Sequence, residues 1–303
     1  MTSETFYSNG KLLLTGEYVV LDGALALAIP TKFGQSLKIS PLDERQIIWK
    51  SLDEKNQVWF ESVFSLEDVN SGVKNFSDEK SLRLFEILHA AKQLNSDFLN
   101  LGCQIETKLT FRQDWGLGSS STLINNIANW AKVDAYKLLQ ITFGGSGYDL
   151  ACAQNNFPIT YQLNTEKQRT IKEAPFNPPF KDALYFVYLN KKQNSRDGIA
   201  QYKANTSAKA KAIKEISQIT TKMVSCSNLK DFNGLLERHE QLISNIILQT
   251  PVQEKLFSDF KGSIKSLGAW GGDFVLVTSE ENPKAYFSKK GFDTMVSYSE
   301  MVK

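Results

Sequence analysis

From residue 5 to residue 39, short apolar runs alternate with polar and glycine breaks, which is the texture of strands rather than helices. Residues 11–15, 17–21, 24–29 and 35–39 are predicted strands, with Asp22-Gly23 as a hairpin turn. Residues 46–50 and 57–64 are rich in β-branched and aromatic side chains and are separated by Asp53-Glu54-Lys55-Asn56. They predict a second hairpin, so the N-terminal sheet is expected to be mainly antiparallel. Residues 81–94 carry Leu82, Phe85, Leu88 and Ala91 at helical spacing, and 103–111 read as a strand. That strand leads straight into a glycine and hydroxyl loop and a helix over 123–132. A second glycine loop at 143–147 opens a short helix that begins near Asp149 and ends near Gln154, and a strand is predicted over 158–163.

The texture changes between residues 165 and 179, where charged residues give way to Ala174-Pro175-Phe176-Asn177-Pro178-Pro179. This predicts two lobes, 1–165 and 166–303. Beyond it, 183–189 is an apolar strand, 208–224 and 229–247 are helices, and 264–267 and 274–278 are strands flanking a third glycine cluster. The Ala-Lys run at 207–212 reads as a solvated helix face.

With 303 residues, 42% of them hydrophobic, the chain can bury a sizeable core. A net charge of +2 gives no broad basic field, so neither nucleic acid nor an anionic membrane is an expected partner. Cys103, Cys152 and Cys226 are odd in number and far apart, which predicts reduced thiols. No basic segment followed by an apolar signal core opens the sequence, and no apolar run approaches the roughly 20 residues of a membrane span. A cytoplasmic protein is expected, as monomer or homodimer.

Three segments carry candidate chemistry. Asp114-Trp115-Gly116-Leu117-Gly118-Ser119-Ser120-Ser121-Thr122 combines glycines, which let backbone approach an anion, with the free N–H groups of a helix start. It reads as a phosphate site. The Walker pattern and the dinucleotide fingerprint are both lacking. Gly10-Lys11-Leu12-Leu13-Leu14-Thr15-Gly16-Glu17-Tyr18 sets one lysine and one glutamate in an apolar run, and Lys265-Ser266-Leu267-Gly268-Ala269-Trp270-Gly271-Gly272-Asp273 places glycines between two strands. In kind and in order the three segments resemble the motifs of the GHMP kinases, the family of galactokinase, homoserine kinase, mevalonate kinase and phosphomevalonate kinase. The likeness spans nearly the whole chain.

The resemblance implies an α+β, two-lobed GHMP kinase fold, with an N-terminal mixed sheet and helices and a C-terminal ferredoxin-like α/β sandwich. It implies ATP and Mg²⁺ as cofactors and a small-molecule acceptor. Asp149, in Gly147-Tyr148-Asp149, matches the family aspartate that faces the acceptor hydroxyl, and Lys11 matches the lysine beside it. Gly116, Leu117, Gly118, Ser119, Ser120 and Ser121 match the ATP-phosphate loop, with Ser120 at the metal position. Substrate contacts are expected from Glu17, Tyr18, Gly271 and Gly272. The basic stretch around Lys192 and Arg196 is a candidate for a substrate phosphate or carboxylate.

Gly-Glu-Tyr at 16–18, the aromatic before Gly-Leu-Gly, Gly-Tyr-Asp-Leu-Ala and the ending Gly-Gly-Asp resemble phosphomevalonate kinase and a bacterial group with Gly-Tyr-Asp-Ile/Leu-Ala. There are departures. No Glu lies between Ser121 and Asp149 to complete the family metal site, Ser121 stands where Ala is common, and Leu267 and Trp270 replace small residues. Trp115 and Trp270 are open to either core packing or adenine stacking. His89 reads as part of a helix face, whereas His239 falls where family helices line the acceptor pocket. The expected activity is phosphoryl transfer to phosphomevalonate or mevalonate. The alternatives are diphosphomevalonate decarboxylase, a homoserine or sugar kinase, and a nucleotide-binding regulator without turnover.

Overall fold

The computed structural model describes residues 3–73, 76–166, 168–193, 195–205 and 209–303. The chain forms two compact units. The first comprises Met1–Gly10, Phe33–Gln113 and Leu117–Gln154, and the second Lys11–Lys32, Asp114–Gly116 and Asn155–Lys303. Two long strands, β1 (Glu4–Thr15) and β2 (Ala26–Pro41), each contribute residues to both units.

In the first unit, β3 (Gln46–Leu52) and β4 (Val58–Ser65) form the expected antiparallel hairpin. Helices α1 (Leu66–Ser71) and α2 (Glu79–Leu94) follow, and then β5 (Cys103–Leu109), which pairs parallel with β3 and antiparallel with β2. Strands β3 and β5 alternate cleanly, each burying every second residue. Ile47, Trp49, Cys103 and Ile105 thereby face a core completed by Leu84, Phe85 and Leu88 of α2. Helices α3 (Ser119–Ala131), α4 (Ala135–Thr142) and α5 (Tyr148–Gln154) close this unit, adding Ile124, Ile127, Leu138 and Leu150 to the same core. Each helix start that has a side-chain cap uses a short polar residue: Ser65 for α1, Asp78 for α2 and Asp134 for α4.

In the second unit, β6 (Ile159–Leu163) pairs with residues 26–28 of β2 and with β7 (Arg169–Glu173). A four-stranded antiparallel sheet follows from β8 (Leu184–Tyr188), β9 (Ile264–Ser266), β10 (Phe274–Thr278) and β11 (Met295–Ser297), in the order β11-β8-β10-β9. All five residues of β10 are buried, as its inner position in that sheet requires. The helices here are α6 (Ser195–Ala204), α7 (Lys209–Val224), α8 (Leu229–Ile247), α9 (Val252–Leu256), α10 (Lys284–Lys289) and α11 (Tyr298–Met301). The expected α+β class, a mixed sheet and a second antiparallel sheet with helices, is what forms.

Three local differences from the sequence reading have physical causes. Residues 17–21 are not a strand: the chain turns at Gly16 and Tyr18, both at positive φ, and runs into a 3₁₀ turn, Val19–Asp22. A continuous apolar run does not distinguish a buried strand from a buried turn. The strands predicted at 24–29 and 35–39 are one strand, β2, continuous through Pro30 and Gly34. A helix, α6, begins at Ser195, close after the basic residues Lys191 and Lys192, where only a turn was expected. Among the described residues no helix is long and apolar enough to cross a membrane.

Candidate active site

The glycine and hydroxyl loop becomes helix earlier than its composition suggests. Gly118, at φ 89°, is the N-cap of α3, so Ser119, Ser120 and Ser121 form the first helical turn. The first bond of the helix runs from the Thr122 N–H to Gly118 O at 3.0 Å, and the three serine N–H groups before it have no partner within the helix. Leu117 is buried and pins the loop to the core. Ser121 Oγ is turned inward and donates to Gly118 O at 2.8 Å, while Ser120 is exposed. Free N–H groups and the helix dipole make this turn suited to phosphate oxygens.

A buried polar chain orients the first unit's helices. Ser8 Oγ donates to Asn126 Oδ1 at 2.7 Å, Asn125 Nδ2 donates to Ser8 Oγ at 2.9 Å, and Asn126 Nδ2 donates to Gln35 O at 2.9 Å. Gln154 Nε2 donates to Asn125 Oδ1 at 3.0 Å, which ties the end of α5 to α3. Asp149 stands half-buried in the first turn of α5, after Gly144, Gly145 and Gly147, all at positive φ.

In the second unit, Lys11, Gly116, Gly272 and Lys192 converge on Asp273. Lys11 Nζ donates to Gly116 O at 2.9 Å. A Cβ on Gly116 would come within 2.4 Å of the Asp273 carboxyl carbon, so only glycine allows this approach. Asp273 is itself at φ 55°; its N–H donates to Lys191 O at 2.7 Å, and its Oδ1 accepts from the Gln193 N–H at 3.1 Å. Burial pushes the Asp273 carboxyl up from the ordinary aspartate value, against the Gln193 N–H and the charges of Lys11 and Lys192. Gly272 packs against Lys191 O. Arg196 falls in α6, and its side chain lies outside the described residues. Trp115 meets Phe274 edge-on with ring centroids 5.3 Å apart.

Glu17 and Tyr18 are both turned into the protein. The Glu17 carboxylate is paired with the ammonium of Lys265 on β9, and both side chains are buried. His239 and Glu240 of α8 flank this pair. His239 Nε2 accepts from the Gly16 N–H at 2.9 Å, and burial, then Lys265, holds the imidazole well below its ordinary pKa, in the neutral form. Glu240 accepts from the Ser266 hydroxyl at 2.9 Å and from the Ser266 N–H at 3.2 Å. The Trp270 N–H donates to the Tyr18 hydroxyl at 3.1 Å, and the Tyr18 ring stacks on Tyr202. The turn of the first motif and the glycine cluster of the third are therefore one packed assembly. Sequence reasoning missed Lys265, Glu240 and Asp273 as members of it. The available signal was a lone lysine opening the third motif in the strand pattern Ile264 to Leu267, which needed an acid, and a lone glutamate in an apolar run, which needed a base.

Among the described residues no group of three or more His, Cys, Asp or Glu side chains is arranged to hold a metal ion. Asp134, the one carboxylate between Ser121 and Asp149, caps α4 by accepting from the N–H groups of Tyr136 and Lys137. The hydroxyl of Ser120 is a hard oxygen donor of the kind Mg²⁺ accepts, in a turn that suits the phosphates expected to supply the remaining oxygens. The donor set fits a phosphate-bound Mg²⁺ rather than a cage made by protein alone.

One lysine serves two buried carboxylates, and burial pushes Glu240 up to about 7 and Glu17 upward as well. A carboxyl raised on folding from 4.5 to about 7 contributes stability that is complete below pH 4.5 and is lost as pH rises through 7. Glu240→Gln removes that slope. In urea unfolding at pH 5 and pH 8, the variant should gain on the wild type by on the order of 1–3 kcal/mol between the two pH values. Parallel pH profiles would show that Glu240 keeps its charge.

No family model matches the chain, and no curated protein matches it in sequence. Solved structures do match in fold over almost its full length. Mevalonate kinase of Methanococcus jannaschii is similar at a TM-score of 0.73 and 19% identity, covering 97% of each chain. Streptococcus pneumoniae phosphomevalonate kinase, solved with phosphomevalonate and AMPPNP, is similar at 0.73 and 17%, covering 97% of this chain and 99% of that one. Lactococcus lactis galactokinase, solved with galactose, is similar at 0.66 and 13%, covering 97% and 92%. The chain has the fold shared by these small-molecule kinases.

Proposed function

We propose that the chain is an ATP-dependent small-molecule kinase whose acceptor is phosphomevalonate or mevalonate. The observation that carries this reading is the glycine and hydroxyl loop opening directly into α3, with three N–H groups left over by the helix, on a fold shared along the whole chain with mevalonate and phosphomevalonate kinases. Phosphoryl transfer asks little covalent chemistry of a protein; it asks for positioning and for charge placed where the phosphates gather charge. The N–H groups of Ser119, Ser120 and Ser121 supply partial positive charge, and Gly116 and Gly118 keep the loop open to the phosphates. Mg²⁺, bound with ATP, would neutralise phosphate charge, with the Ser120 hydroxyl as its protein ligand.

Asp149 is assigned to the attacking oxygen of the acceptor: the hydroxyl of mevalonate, whose proton its carboxylate takes, or a phosphate oxygen of phosphomevalonate, which it orients; that oxygen bonds to the γ-phosphorus as the bond to the β–γ bridging oxygen breaks and ADP leaves. Lys11 is assigned to the charge that develops there, with its ammonium anchored on Gly116 O. Lys192 and Arg196 are assigned to a phosphate or carboxylate on the acceptor, and Gly271 and Gly272 to close backbone approach. Glu17 and Tyr18 support the substrate site through the packed turn they build. Gly-Glu-Tyr and Gly-Gly-Asp favour phosphomevalonate over mevalonate.

ATP consumption with mevalonate, phosphomevalonate, homoserine and galactose tests the reading. Turnover with one of the first two is expected, with no release of carbon dioxide from diphosphomevalonate. Asp149→Asn should then lower kcat by roughly 100-fold or more and leave ATP affinity within about threefold, because it acts on the acceptor. Near-normal turnover in that variant removes Asp149 from the mechanism. Ser120→Ala should raise the KM for MgATP by about tenfold, the loss of one metal ligand. Ser121→Ala, which removes only an internal bond to Gly118 O, should act on stability instead; equal kinetic effects would undo the assignment of Ser120.

A further inference from the structure

Tyr18, in the first motif, has a backbone φ of 62°, which a bulky side chain adopts only where its surroundings hold it. Much of that hold comes from α6. The Tyr18 ring stacks on the buried Tyr202, with centroids 6.0 Å apart and planes at 22°. The helix also presses on the same phenol at Gly198, where a Cβ would stand 2.4 Å from the Tyr18 hydroxyl and 2.7 Å from its Cε1. Gly198 lies inside α6 without a positive φ, so it is the approach of Tyr18, and not a turn, that calls for glycine.

Gly198 and Tyr202 are four residues apart, which puts them on one face of the helix. Tyr18 and Asp22, at the two ends of the 3₁₀ turn, are four apart as well, and the Tyr202 hydroxyl donates to Asp22 Oδ2 at 2.5 Å. The ammonium of Lys209, which opens α7, lies 4.1 Å from the Tyr202 ring centroid and adds a cation to the stack. The last turn of α6 is followed by a separate support, Asn205 Nδ2 donating to Ile246 O of α8 at 2.7 Å. What the contacts at 198 and 202 fix is therefore the first half of α6, which contains Arg196. We propose that Gly198 and Tyr202 are positioning residues for the acceptor: with Tyr18 and Asp22 they form a two-point latch that sets α6 against the turn of the first motif. The inference rests on the kinase reading, in which Arg196 is assigned to the acceptor's phosphate or carboxylate, and extends it to two residues that touch no substrate. The residues assigned to ATP, Gly116 to Ser121, are not part of the latch.

Steady-state kinetics of two glycine variants test this. Gly234→Ala, in α8 where a Cβ meets nothing within 4 Å, is the control: it should raise the unfolding midpoint and leave every kinetic constant unchanged. Gly198→Ala should instead raise the KM for the acceptor that is turned over, phosphomevalonate or mevalonate, by about tenfold, with the KM for MgATP within about twofold. Tyr202→Phe keeps the stacked ring and loses the bond to Asp22, and a rise of about threefold in the same KM is expected. Tyr18→Leu raises it alone, and adding Gly198→Ala should then cost nothing further, because the ring that the new Cβ meets is gone. Amide hydrogen exchange over residues 198–204 reads the latch without turnover, and it should be faster in Gly198→Ala and Tyr202→Phe than in the wild type and Gly234→Ala. An unchanged acceptor KM in both latch variants, or acceptor and MgATP constants that rise together, refutes the latch and leaves the kinase reading standing. A wild type that turns over neither acceptor refutes the kinase reading, and the acceptor role of the latch falls with it.

Discussion

A carboxylate and an ammonium buried together, Glu17 and Lys265, are the constraint on which the second unit's glycine turns depend. Taking two charges out of water is costly and is offset only when both meet each other and further hydrogen bonds in one geometry. Here that geometry fixes Gly16-Glu17-Tyr18 against the start of the third motif. Gly16 donates to His239, Lys265 Nζ also donates to Ser266 O, and Ser266 donates to Glu240. Four residues beyond Ser266 the Trp270 N–H donates to Tyr18, and the chain then places Asp273 against Gly116. Position passes in this way from a buried ion pair to the loop that carries Lys11's acceptor carbonyl.

The two units use different means to hold their functional turns. In the first, a neutral chain of Ser8, Asn125, Asn126 and Gln154 connects α3 to α5, and an amide network of this kind is indifferent to pH. In the second, the holding groups are ionisable and outnumber their counter-charge: two carboxylates stand around one lysine, with a neutral imidazole between strand and helix. An excess of buried acid makes the second unit's stability sensitive to pH.

Much of the fold was legible because its signals are local. The β3–β4 hairpin follows from two β-rich runs around a polar turn, and α2, α7 and α8 follow from helical spacing over many residues. The helix that follows the loop at 114–122 was legible from the apolar spacing beyond it, although its first turn, Ser119 to Ser121, was read as loop. What stayed hidden depends on distant partners. Glu17 meets Lys265 at a separation of 248 residues, and no periodicity encodes that meeting. The 3₁₀ turn at Val19–Asp22 was read as strand because Val19, Val20 and Leu21 suit either conformation; the turn is dictated by Tyr18, held at φ 62° by its stacking on Tyr202 and its bond from Trp270. Trp270 itself was open between packing and stacking, and its bond to Tyr18 could be read only from the fold.

The claim that the Glu17–Lys265 pair holds the first and third motifs together is tested most directly by a double-mutant cycle in urea unfolding at pH 7, with Lys265→Met, Glu17→Leu and the pair. Lys265→Met leaves the Glu17 carboxylate without its partner and should lose about 3–5 kcal/mol, whereas Glu17→Leu leaves Lys265 with Glu240 as its neighbouring carboxylate and should lose less. The double variant should recover most of that loss, giving a strongly non-additive cycle. Single variants close to wild type, or losses that add in the double variant, would show that the two side chains act independently and that the motifs are held by packing alone.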